Sequence, residues 1–461
     1  MLLDAQSGPL YLQIYRALRQ EIEAGQRRAG DRLPSKRALA AELGVSVNTV
    51  DGAYGQLLSE GFVEARPRSG FYVCPIDTLQ RLTMPEPAQD ALPQPAPDPV
   101  EVDFAPGAVD RAHFPHAVWR RLLKAAWNEY DPALLRAPDP QGDPGLRQAV
   151  ARYLHDARGV NTDADHLVIG AGTDSLLQML SFLLDDACTL AVENPVYHRG
   201  YLLFSRMGHP VLPVDVDAEG PCPDRLEGLD NLILYTTPSH QFPLGIRIPM
   251  GRRTRLLNWA GAGRFRYILE DDYDSEFRYG ARPLPSLQSM DRNGRVVYLG
   301  SFSGSLAPSI RIACMALPDP LLQLYRRRCG GFSSAVSGLE QAVVREFLLQ
   351  GHFETHLNRM RVIYKNRRQR LLAGLAPLGS TVETAGEAAG LRLTLHHTGG
   401  LTEAELCSRA LAAGVRVYPI SPFFIGKMPP AYEGRVLLGF GGLTDAEAER
   451  GAALLCEGWK A

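Results

Sequence analysis

The sequence predicts an α/β protein in two parts: a small helical unit with a β-hairpin, and a large domain with a mostly parallel sheet. In residues 1–75, three helical patterns precede two strand-like runs. Seven prolines follow between Pro75 and Pro99, and because proline fixes φ and removes a donor, residues 76–100 should be an extended linker. In residues 101–461, short apolar runs alternate with helix-length segments, which is typical of parallel sheets covered by helices.

Composition excludes several classes of protein. The chain has 461 residues, 45% of them hydrophobic and 22% charged, which is enough apolar material for a large core. We expect neither a membrane span nor a signal peptide. The seven cysteines form no C-x-x-C pair, so a reducing cytoplasm is expected and neither a zinc site nor a disulfide framework is predicted. Lys and Arg total 49 against 51 Asp and Glu, so net charge gives no argument for a nucleic-acid partner.

Three helices are predicted in the small unit. Leu10, Ile14, Leu18 and Ile22 recur every four residues, as on one face of a helix, and Gly25 lies where that helix should end. Two further helices should begin at serine N-caps and bury an apolar face. The residues concerned are Ser35 and Gly44 at the ends of the second helix, and Ser46, Val50, Tyr54, Leu57 and Gly61 in and after the third.

A β-hairpin with a basic tip follows the third helix. Its strands are predicted at Phe62–Ala65 and Phe71–Val73, on either side of the sequence R-P-R-S-G. Three helices followed by a hairpin make a winged helix–turn–helix.

Such a unit presents its third helix to the major groove of DNA. Asn48 and Thr49 lie at the start of that helix, where Asn can pair with adenine. Basic residues suited to phosphates lie near the second helix and on the wing: Arg32, Lys36, Arg37, Arg66 and Arg68. Residues 1–75 hold nine basic and eight acidic side chains, so a winged helix that contacts protein is the alternative.

Residues 9–73 resemble a GntR-type DNA-binding domain. The resemblance is carried by P-L-Y-L-Q-I-Y, by R-L-P-S-K-R-A-L-A-A-E-L-G-V-S-V-N-T-V and by the wing G-F-V-E-A-R-P-R-S-G-F-Y-V. Two positions depart from that family: Val47 stands where Arg is frequent, and Asp51 is not basic.

Five buried strands are predicted in the large domain, and a polar motif follows each of them. The strands are Leu167–Gly170, Cys188–Val192, Leu232–Tyr235, Tyr267–Leu269 and Val296–Leu299. The motifs are G-A-G-T-D, E-N-P-V-Y, T-P-S-H-Q-F-P-L-G, E-D-D-Y-D-S-E-F and G-S-F-S-G-S-L-A-P-S-I-R. Open α/β sheets bind ligands at the carboxyl ends of their strands, so these motifs predict one pocket. The paired carboxylates lack a matching His or acidic cluster, so no metal is predicted.

From about Gly330 the pattern changes to helical periodicity and then to strand-like runs at Leu391–Leu395 and Val415–Tyr418. This change predicts a smaller α+β subdomain.

The motifs of the large domain resemble those of fold-type I pyridoxal-phosphate proteins, the aspartate-aminotransferase superfamily. With the N-terminal unit included, the chain from Pro9 to near its C-terminus resembles a MocR-type regulator, in which a GntR domain precedes an aminotransferase-like domain. This resemblance implies pyridoxal phosphate as the cofactor and assigns roles to matching residues.

The resemblance makes Asp271 the partner of the ring nitrogen, Tyr273 the partner of the ring 3-oxygen and Tyr197 the residue stacked on the ring. Three further residues, which we call the phosphate-binding residues, would hold the phosphate: Thr173, Ser301 and Arg311. Arg199 and Arg435 would hold a ligand carboxylate, for which the planar guanidinium is suited. The alternative for these two arginines is a structural or surface salt bridge.

The lysine that forms the Schiff base in this superfamily is absent, because Gly304 stands at its position. Lys365 and Lys427 lie elsewhere in the chain, and Leu244 replaces a frequent Thr or Ser. Glycine has no amine, so we predict no catalytic residue here and non-covalent binding. A damaged or engineered copy and a sensor adapted to a non-covalent ligand both remain open.

The sequence therefore predicts a cytoplasmic transcription regulator that binds operator DNA and senses pyridoxal phosphate or its adduct with an amino acid. The resemblance implies a homodimer in which each winged unit rests on the partner's large domain, with no membrane partner. Two alternatives stay open: an aminotransferase with an appended DNA-binding domain, and a regulator with an unrelated effector.

Overall fold

The computed structural model describes residues 8–75, 100–128, 132–279 and 285–460. The chain divides into two compact units, Met1–Ala96 and Pro97–Ala461. The predicted linker lies, apart from Val100, outside the described residues. Within the described ranges, no helix is both long and apolar enough to cross a membrane.

The first unit has the predicted winged helix–turn–helix fold. Its elements are α1 Leu10–Glu23, α2 Lys36–Leu43, α3 Val47–Ser59, β1 Val63–Arg66 and β2 Gly70–Val73. The hydroxyl oxygens of Ser35 and Ser46 accept hydrogen bonds from the first turns of α2 and α3, each at 3.1 Å. The predicted apolar faces of the three helices pack in one cluster, except for Leu10, which is half-buried and outside it. Arg68 at the tip of the hairpin has φ of 60°, in the left-handed region.

The large domain contains an eight-stranded sheet. Its strands are β4 Leu167–Gly170, β5 Thr189–Asn194, β6 Val211–Asp217, β7 Gly220–Pro221, β8 Leu232–Thr236, β9 Arg266–Asp272, β10 Val296–Ser301 and β11 Ala313–Ala316, in the order β4-β11-β10-β9-β8-β5-β6-β7. Strands β10, β9, β8, β5 and β6 are parallel to one another, and of these five only β6 was not predicted as a strand. Strand β3 Val102–Asp103 lies outside this sheet.

An antiparallel strand that the sequence analysis missed, β11, lies between β4 and β10. Its residues, A-C-M-A, follow the last motif directly and are too few to show a periodicity. Because β11 runs antiparallel to both neighbours, β4 still runs in the same direction as β10. All five motif-bearing strands therefore end at one edge of the sheet.

Helices cover the sheet and continue into the later part of the chain. They are α4 His116–Asn128, α5 Pro144–Arg158, α6 Thr173–Leu183, α7 His198–Arg206, α8 Met250–Ala262, α9 Asp319–Cys329, α10 Gly338–Leu349 and α11 His352–Leu375.

The predicted α+β subdomain contains a four-stranded antiparallel sheet and two helices. The elements are β12 Val382–Ala385, β13 Arg392–His397, α12 Glu403–Ala412, β14 Val415–Arg416, β15 Tyr418–Pro419, β16 Arg435–Gly439 and α13 Asp445–Trp459, with the sheet order β12-β13-β16-β15. The predicted single strand Val415–Tyr418 is wrong. The chain changes partners at Val417, because β14 pairs with β3 whereas β15 pairs with β16.

One face of this small sheet contacts the loop that follows β8. The Thr394 hydroxyl donates to the Pro243 carbonyl at 2.6 Å, and Leu437 packs against Phe242. The small sheet therefore borders the edge of the large sheet at which the motifs lie.

Candidate functional sites

Asp271, near the carboxyl end of β9, is a buried carboxylate that accepts from one side chain among the described residues. The Tyr235 hydroxyl, from neighbouring β8, donates to Asp271 Oδ2 at 2.6 Å. Gly200 makes room for Tyr235, because a Cβ at Gly200 would come within 2.6 Å of its ring.

Burial raises the pKa of Asp271 to about 7, although the bond from Tyr235 acts against this rise. The carboxylates of Asp272 and Asp274 raise it further. A cationic group that reached Asp271 would relieve both effects. The site therefore favours a ligand that brings a positive charge to this carboxylate.

Three aromatic side chains, Tyr197, Phe242 and Tyr273, contact one another near Asp271, and we call the region between these rings, Asp271 and the start of α6 the cleft. The Tyr273 hydroxyl donates to the His240 carbonyl at 2.7 Å. Burial raises the pKa of Tyr273 well above its usual value, so its hydroxyl stays protonated and can donate. Tyr197 is 39% exposed at the start of α7, and its ring centroid lies 5.4 Å from that of Phe242 in an edge-to-face arrangement.

Two of the predicted phosphate-binding residues, Thr173 and Arg311, lie where α6 begins. Gly172 precedes α6 with φ of 83°, and Thr173 is the first helical residue. A Cβ at Gly172 would come within 2.4 Å of Arg311 Nη2, so the guanidinium lies directly against this turn. Ser301 ends β10, and its hydroxyl oxygen accepts from the Ser303 amide at 3.1 Å. A helix N-terminus with an adjacent arginine is suited to a phosphate.

Asp174 links Arg311 to Arg199. Its Oδ2 lies 3.4 Å from Arg311 Nη2 and 3.8 Å from Arg199 Nη1. The structure therefore brings Arg199, a predicted carboxylate-binding residue, close to Arg311. The pair that Arg199 forms with Asp174 is a surface salt bridge, which was the alternative role for this arginine. All three side chains are between 40% and 68% exposed, so solvent screens these pairs.

Arg435, the other predicted carboxylate-binding residue, is the first residue of β16 in the small sheet. Its guanidinium carbon lies 5.9 Å from the Tyr432 ring centroid, and Tyr432 belongs to the same apolar cluster as Phe242 and Tyr273. Among the residues that the structure describes, the buried Nε of Arg435 has no hydrogen-bond partner, and no hydrogen bond or ion pair joins Arg435 to Arg199.

Gly304 lies beside Tyr273. Its φ is outside the left-handed region, and a Cβ there would lie 3.2 Å from the Tyr273 carbonyl oxygen. Residue 304 thus lies beside Tyr273 and carries no amine. Leu244, the other departure, is buried.

In the winged unit, three predicted DNA-binding cations lie along β2. Lys36 Nζ is 4.9 Å from the Phe71 ring centroid, and the Arg66 guanidinium carbon is 4.3 Å from that of Tyr72. A Cβ at Gly70 would lie 3.3 Å from Arg32 Nε.

Some of these cations already have acidic partners. Lys36 pairs with Asp51, and Arg66 pairs with Glu64 at 2.7 Å. Arg37, Arg68 and Asn48 are exposed, whereas the Thr49 hydroxyl lies 2.8 Å from that of Ser46 within the helix cap. Asn48 is thus the freer of the two predicted base-reading side chains.

Known protein families match both units. The family described as bacterial regulatory proteins of the gntR family matches residues 10–73, and aminotransferase class I and II matches residues 102–455. The chain is 38% identical to the uncharacterized HTH-type transcriptional regulator YhdI of Bacillus subtilis, over 98% of this chain and 96% of YhdI. It is 32% identical to the probable rhizopine catabolism regulatory protein MocR of Rhizobium meliloti, over 96% and 92% of the two chains.

The chain belongs to the MocR-type transcription regulators. Among solved structures, it resembles the α-aminoadipate aminotransferase LysN of Thermus thermophilus, with 28% identity and a TM-score of 0.68 over 78% of this chain and 92% of LysN. The predicted fold, a GntR winged helix followed by a fold-type I aminotransferase domain, is thereby confirmed.

The residues around the cleft of this MocR-type regulator suit pyridoxal phosphate in charge and in chemical type. Asp271 is a buried acid that could pair with a ring nitrogen, and Tyr197 and Phe242 supply aromatic rings. The Arg311 guanidinium lies against Gly172, where any larger residue would displace it. The one element that does not fit covalent binding is Gly304. When bound, pyridoxal phosphate supplies an aldehyde that condenses reversibly with amines.

Sequence reasoning missed several side chains around the cleft: Tyr235, His240, Arg392 and Glu193. Glu193 is buried, and it accepts from the Thr237 hydroxyl at 2.9 Å and from Gln241 at 3.3 Å, so it holds the loop after β8. Burial raises the pKa of Glu193 to about 7. The sequence pattern that could have identified Glu193 is a Glu directly after an apolar strand, because a buried carboxylate needs hydrogen-bond partners.

Proposed function

We propose that this regulator binds pyridoxal phosphate, or the adduct of pyridoxal phosphate with an amino acid, without a covalent bond, and that this ligand controls DNA binding in the cytoplasm. The observation that carries the proposal is the combination of a buried, elevated-pKa Asp271 and an Arg311 packed at a helix start, with no amine at Gly304. Groups for binding are thus present beside a position that lacks the group for covalent chemistry.

The absence of an amine at residue 304 favours a sensor over an aminotransferase. Lysine at this position usually acts as the general base, a role typically worth about 10²- to 10⁴-fold in rate. Adducts of aldehydes with amino acids form in solution without an enzyme, so a cleft without lysine can select a preformed adduct. We therefore expect negligible transaminase turnover.

The winged unit supplies the DNA-binding side of the proposal. Arg32, Lys36, Arg37, Arg66 and Arg68 would contact phosphates, and Asn48 with Thr49 would contact bases. A ligand can control this binding only if it binds two global arrangements of the protein with different affinity. The PdxR of Corynebacterium glutamicum, a pyridoxine biosynthesis transcriptional regulator 31% identical over 80% of this chain, supports a link to this class of ligand.

Calorimetry on the full-length protein tests ligand binding. Pyridoxal phosphate and N-(5′-phosphopyridoxyl)-L-alanine, a stable reduced adduct, should both bind, and Arg311→Ala should weaken both. Arg326→Ala, an arginine on α9, serves as the matched control and should change neither affinity. If neither compound binds the wild-type protein, the cleft has lost this function and an unrelated effector is the better hypothesis.

We further propose a homodimer in which each winged unit, residues 1–75, rests on the partner's large domain, residues 101–461. A linker of about 25 residues is compatible with this exchange. Cross-linking of mixed isotope-labelled chains should give contacts of the winged unit with the other chain. Cross-links only within one chain would contradict the exchange.

A further inference from the structure

Arg392 reaches the cleft from the small sheet and has no assigned role. It is the first residue of β13, and its guanidinium carbon lies 4.7 Å from the Phe242 ring centroid and 4.8 Å from that of Tyr273. These are two of the rings that border the proposed ligand. Arginine stacks favourably on aromatic faces, so the guanidinium is held in a fixed plane beside the cleft.

The hydrogen bonding of Arg392 is incomplete. Its Nη2 lies 3.4 Å from Asp274 Oδ2, which also lies 2.9 Å from His240 Nδ1. Its Nε is buried without a partner, and no acceptor for Nη1 is present among the residues that the structure describes. A guanidinium has five N–H donors, and buried donors are normally satisfied. Arg392 therefore retains donors that an anionic ligand group can use.

Arg392 and Arg435 lie on the same face of the small sheet. In the antiparallel register, Arg392 is opposite Gly439 and Arg435 is opposite His396. Thr394 and Leu437 lie between them on that face and contact the loop after β8. The face that covers the cleft thus presents two cations at separate positions along the strands.

The structure of pyridoxal phosphate indicates where the amino-acid part of an adduct would lie relative to Arg392. In pyridoxal phosphate the carbon that bears the aldehyde is next to the carbon that bears the 3-oxygen. If Tyr273 contacts the 3-oxygen, the amino-acid part of an adduct begins beside Tyr273, whose ring Arg392 covers. Gly304 has no side chain that could occupy this region. A Cβ at this residue would lie 3.2 Å from the Tyr273 carbonyl oxygen.

We propose that Arg392 is a specificity-determining residue that binds a second carboxylate, so that the effector is the adduct of a dicarboxylic amino acid. The inference rests on the proposed function. Arg435, on the same face of the small sheet, then serves the α-carboxylate, and Arg392 serves the carboxylate of the acidic side chain. A planar guanidinium binds a carboxylate through two parallel hydrogen bonds, whereas a neutral amide side chain offers one acceptor oxygen.

Paired ligands of nearly equal size test this assignment on the full-length protein. Calorimetry compares N-(5′-phosphopyridoxyl)-L-aspartate with the asparagine adduct, and the glutamate adduct with the glutamine adduct. For at least one pair, we expect the acidic adduct to bind about 10-fold or more tightly than its amide. Equal affinities within both pairs would overturn the assignment of Arg392 and leave non-covalent binding intact. Failure of all four adducts and of pyridoxal phosphate to bind would overturn the proposed function as well.

Variants separate ligand recognition from a structural role of Arg392. Arg392→Gln should reduce the preference for the acidic adduct to less than about 3-fold while leaving the amide adduct nearly unchanged, and Arg392→Lys should retain part of the preference. Arg368→Gln is the matched control, since Arg368 also stacks on a tyrosine, at 4.9 Å from Tyr279. If Arg392→Gln weakens both adducts equally, or retains the preference, Arg392 only joins the two sheets. The comparison within each ligand pair needs no variant, so it decides the question even if Arg392→Gln fails to fold.

Discussion

The two sides of the cleft in the large domain differ in what they retain. At the start of α6 and at β9, Arg311 lies against a helix start and Asp271 is a buried acid. Residue 304, where a Cβ would lie 3.2 Å from the Tyr273 carbonyl oxygen, carries no amine. The proposed function thus assigns recognition and covalent chemistry to different residues.

The largest expected effect comes from restoring the missing amine. Gly304→Lys places a side chain on a backbone without left-handed strain, although its Cβ at 3.2 Å from the Tyr273 carbonyl requires a small shift. Pyridoxal phosphate added to this variant should give the visible absorption band of a Schiff base, which the wild-type protein should lack. Absorbance titration measures this difference.

Two controls make this result specific. Gly304→Met has a side chain of similar length without an amine and should give no band. Borohydride reduction followed by peptide mass spectrometry should place the label on residue 304 in the variant and on no lysine in the wild-type protein. Lys427 is the lysine to watch, because the amide of Ile425, two residues earlier, donates to Asn194 Oδ1 at 2.9 Å. A label on wild-type Lys427 would contradict non-covalent binding.

The second prediction removes the charge of the buried acid. Asp271→Asn should weaken binding of pyridoxal phosphate on the order of 10- to 100-fold, because hydrogen bonds to charged groups contribute about 1.5–3 kcal/mol. Asp185→Asn, an exposed carboxylate before β5, should have no effect on calorimetric affinity. Unchanged affinity in Asp271→Asn would show that the ring nitrogen does not meet this residue.

The same variant has a pH signature without ligand. Folding raises the pKa of Asp271 from 3.8 to about 7, so its protonated form is favoured in the folded state. The stability that this group contributes is complete below about pH 3.8 and is lost as the pH rises through 7. Asp271→Asn should therefore increase Tm relative to wild type by an amount that grows between pH 4 and pH 7 and is constant above. A Tm difference independent of pH would contradict the raised pKa.

Functional and capping residues could be predicted from the sequence where neighbouring residues in the chain form a recognisable pattern. Ser46 precedes an apolar helical pattern, so it could be identified from its neighbours in the chain. Asp271 belongs to a polar motif that begins where an apolar run ends, and its role came from the family resemblance. Tyr235 and Arg392 could not be identified in this way, because their contacts join residues 36 and 118 positions apart. Strand β11 was missed for a related reason: four residues between two antiparallel neighbours show no periodicity, and its place in the sheet depends on those neighbours.

The third prediction extends the comparison to the winged unit, where binding groups are exposed and solvated. Arg66→Ala with Arg68→Ala should weaken DNA binding for all sequences and reduce the salt slope by about 2, since each phosphate contact contributes about one unit. Asn48→Ala should instead reduce the preference for the operator. Fluorescence anisotropy at several salt concentrations measures both effects, with Arg28→Ala as an exposed control outside the predicted DNA face. No protected site in footprinting at any salt concentration would contradict DNA binding.

The smallest expected effect concerns Asp174. Its negative carboxylate lies beside Arg311, one of the phosphate-binding residues, and would repel the phosphate of a ligand. Its Oδ2 lies 3.4 Å from Arg311 Nη2 and 3.8 Å from Arg199 Nη1, so a ligand phosphate must compete with it. Asp174→Asn should tighten binding of pyridoxal phosphate about 2- to 5-fold, because exposed ion pairs contribute about 0.2–1 kcal/mol. The gain should shrink at high ionic strength. Weaker binding by this variant would show that Asp174 orients Arg311 for the phosphate, and the retained side of the cleft would then include an acidic residue.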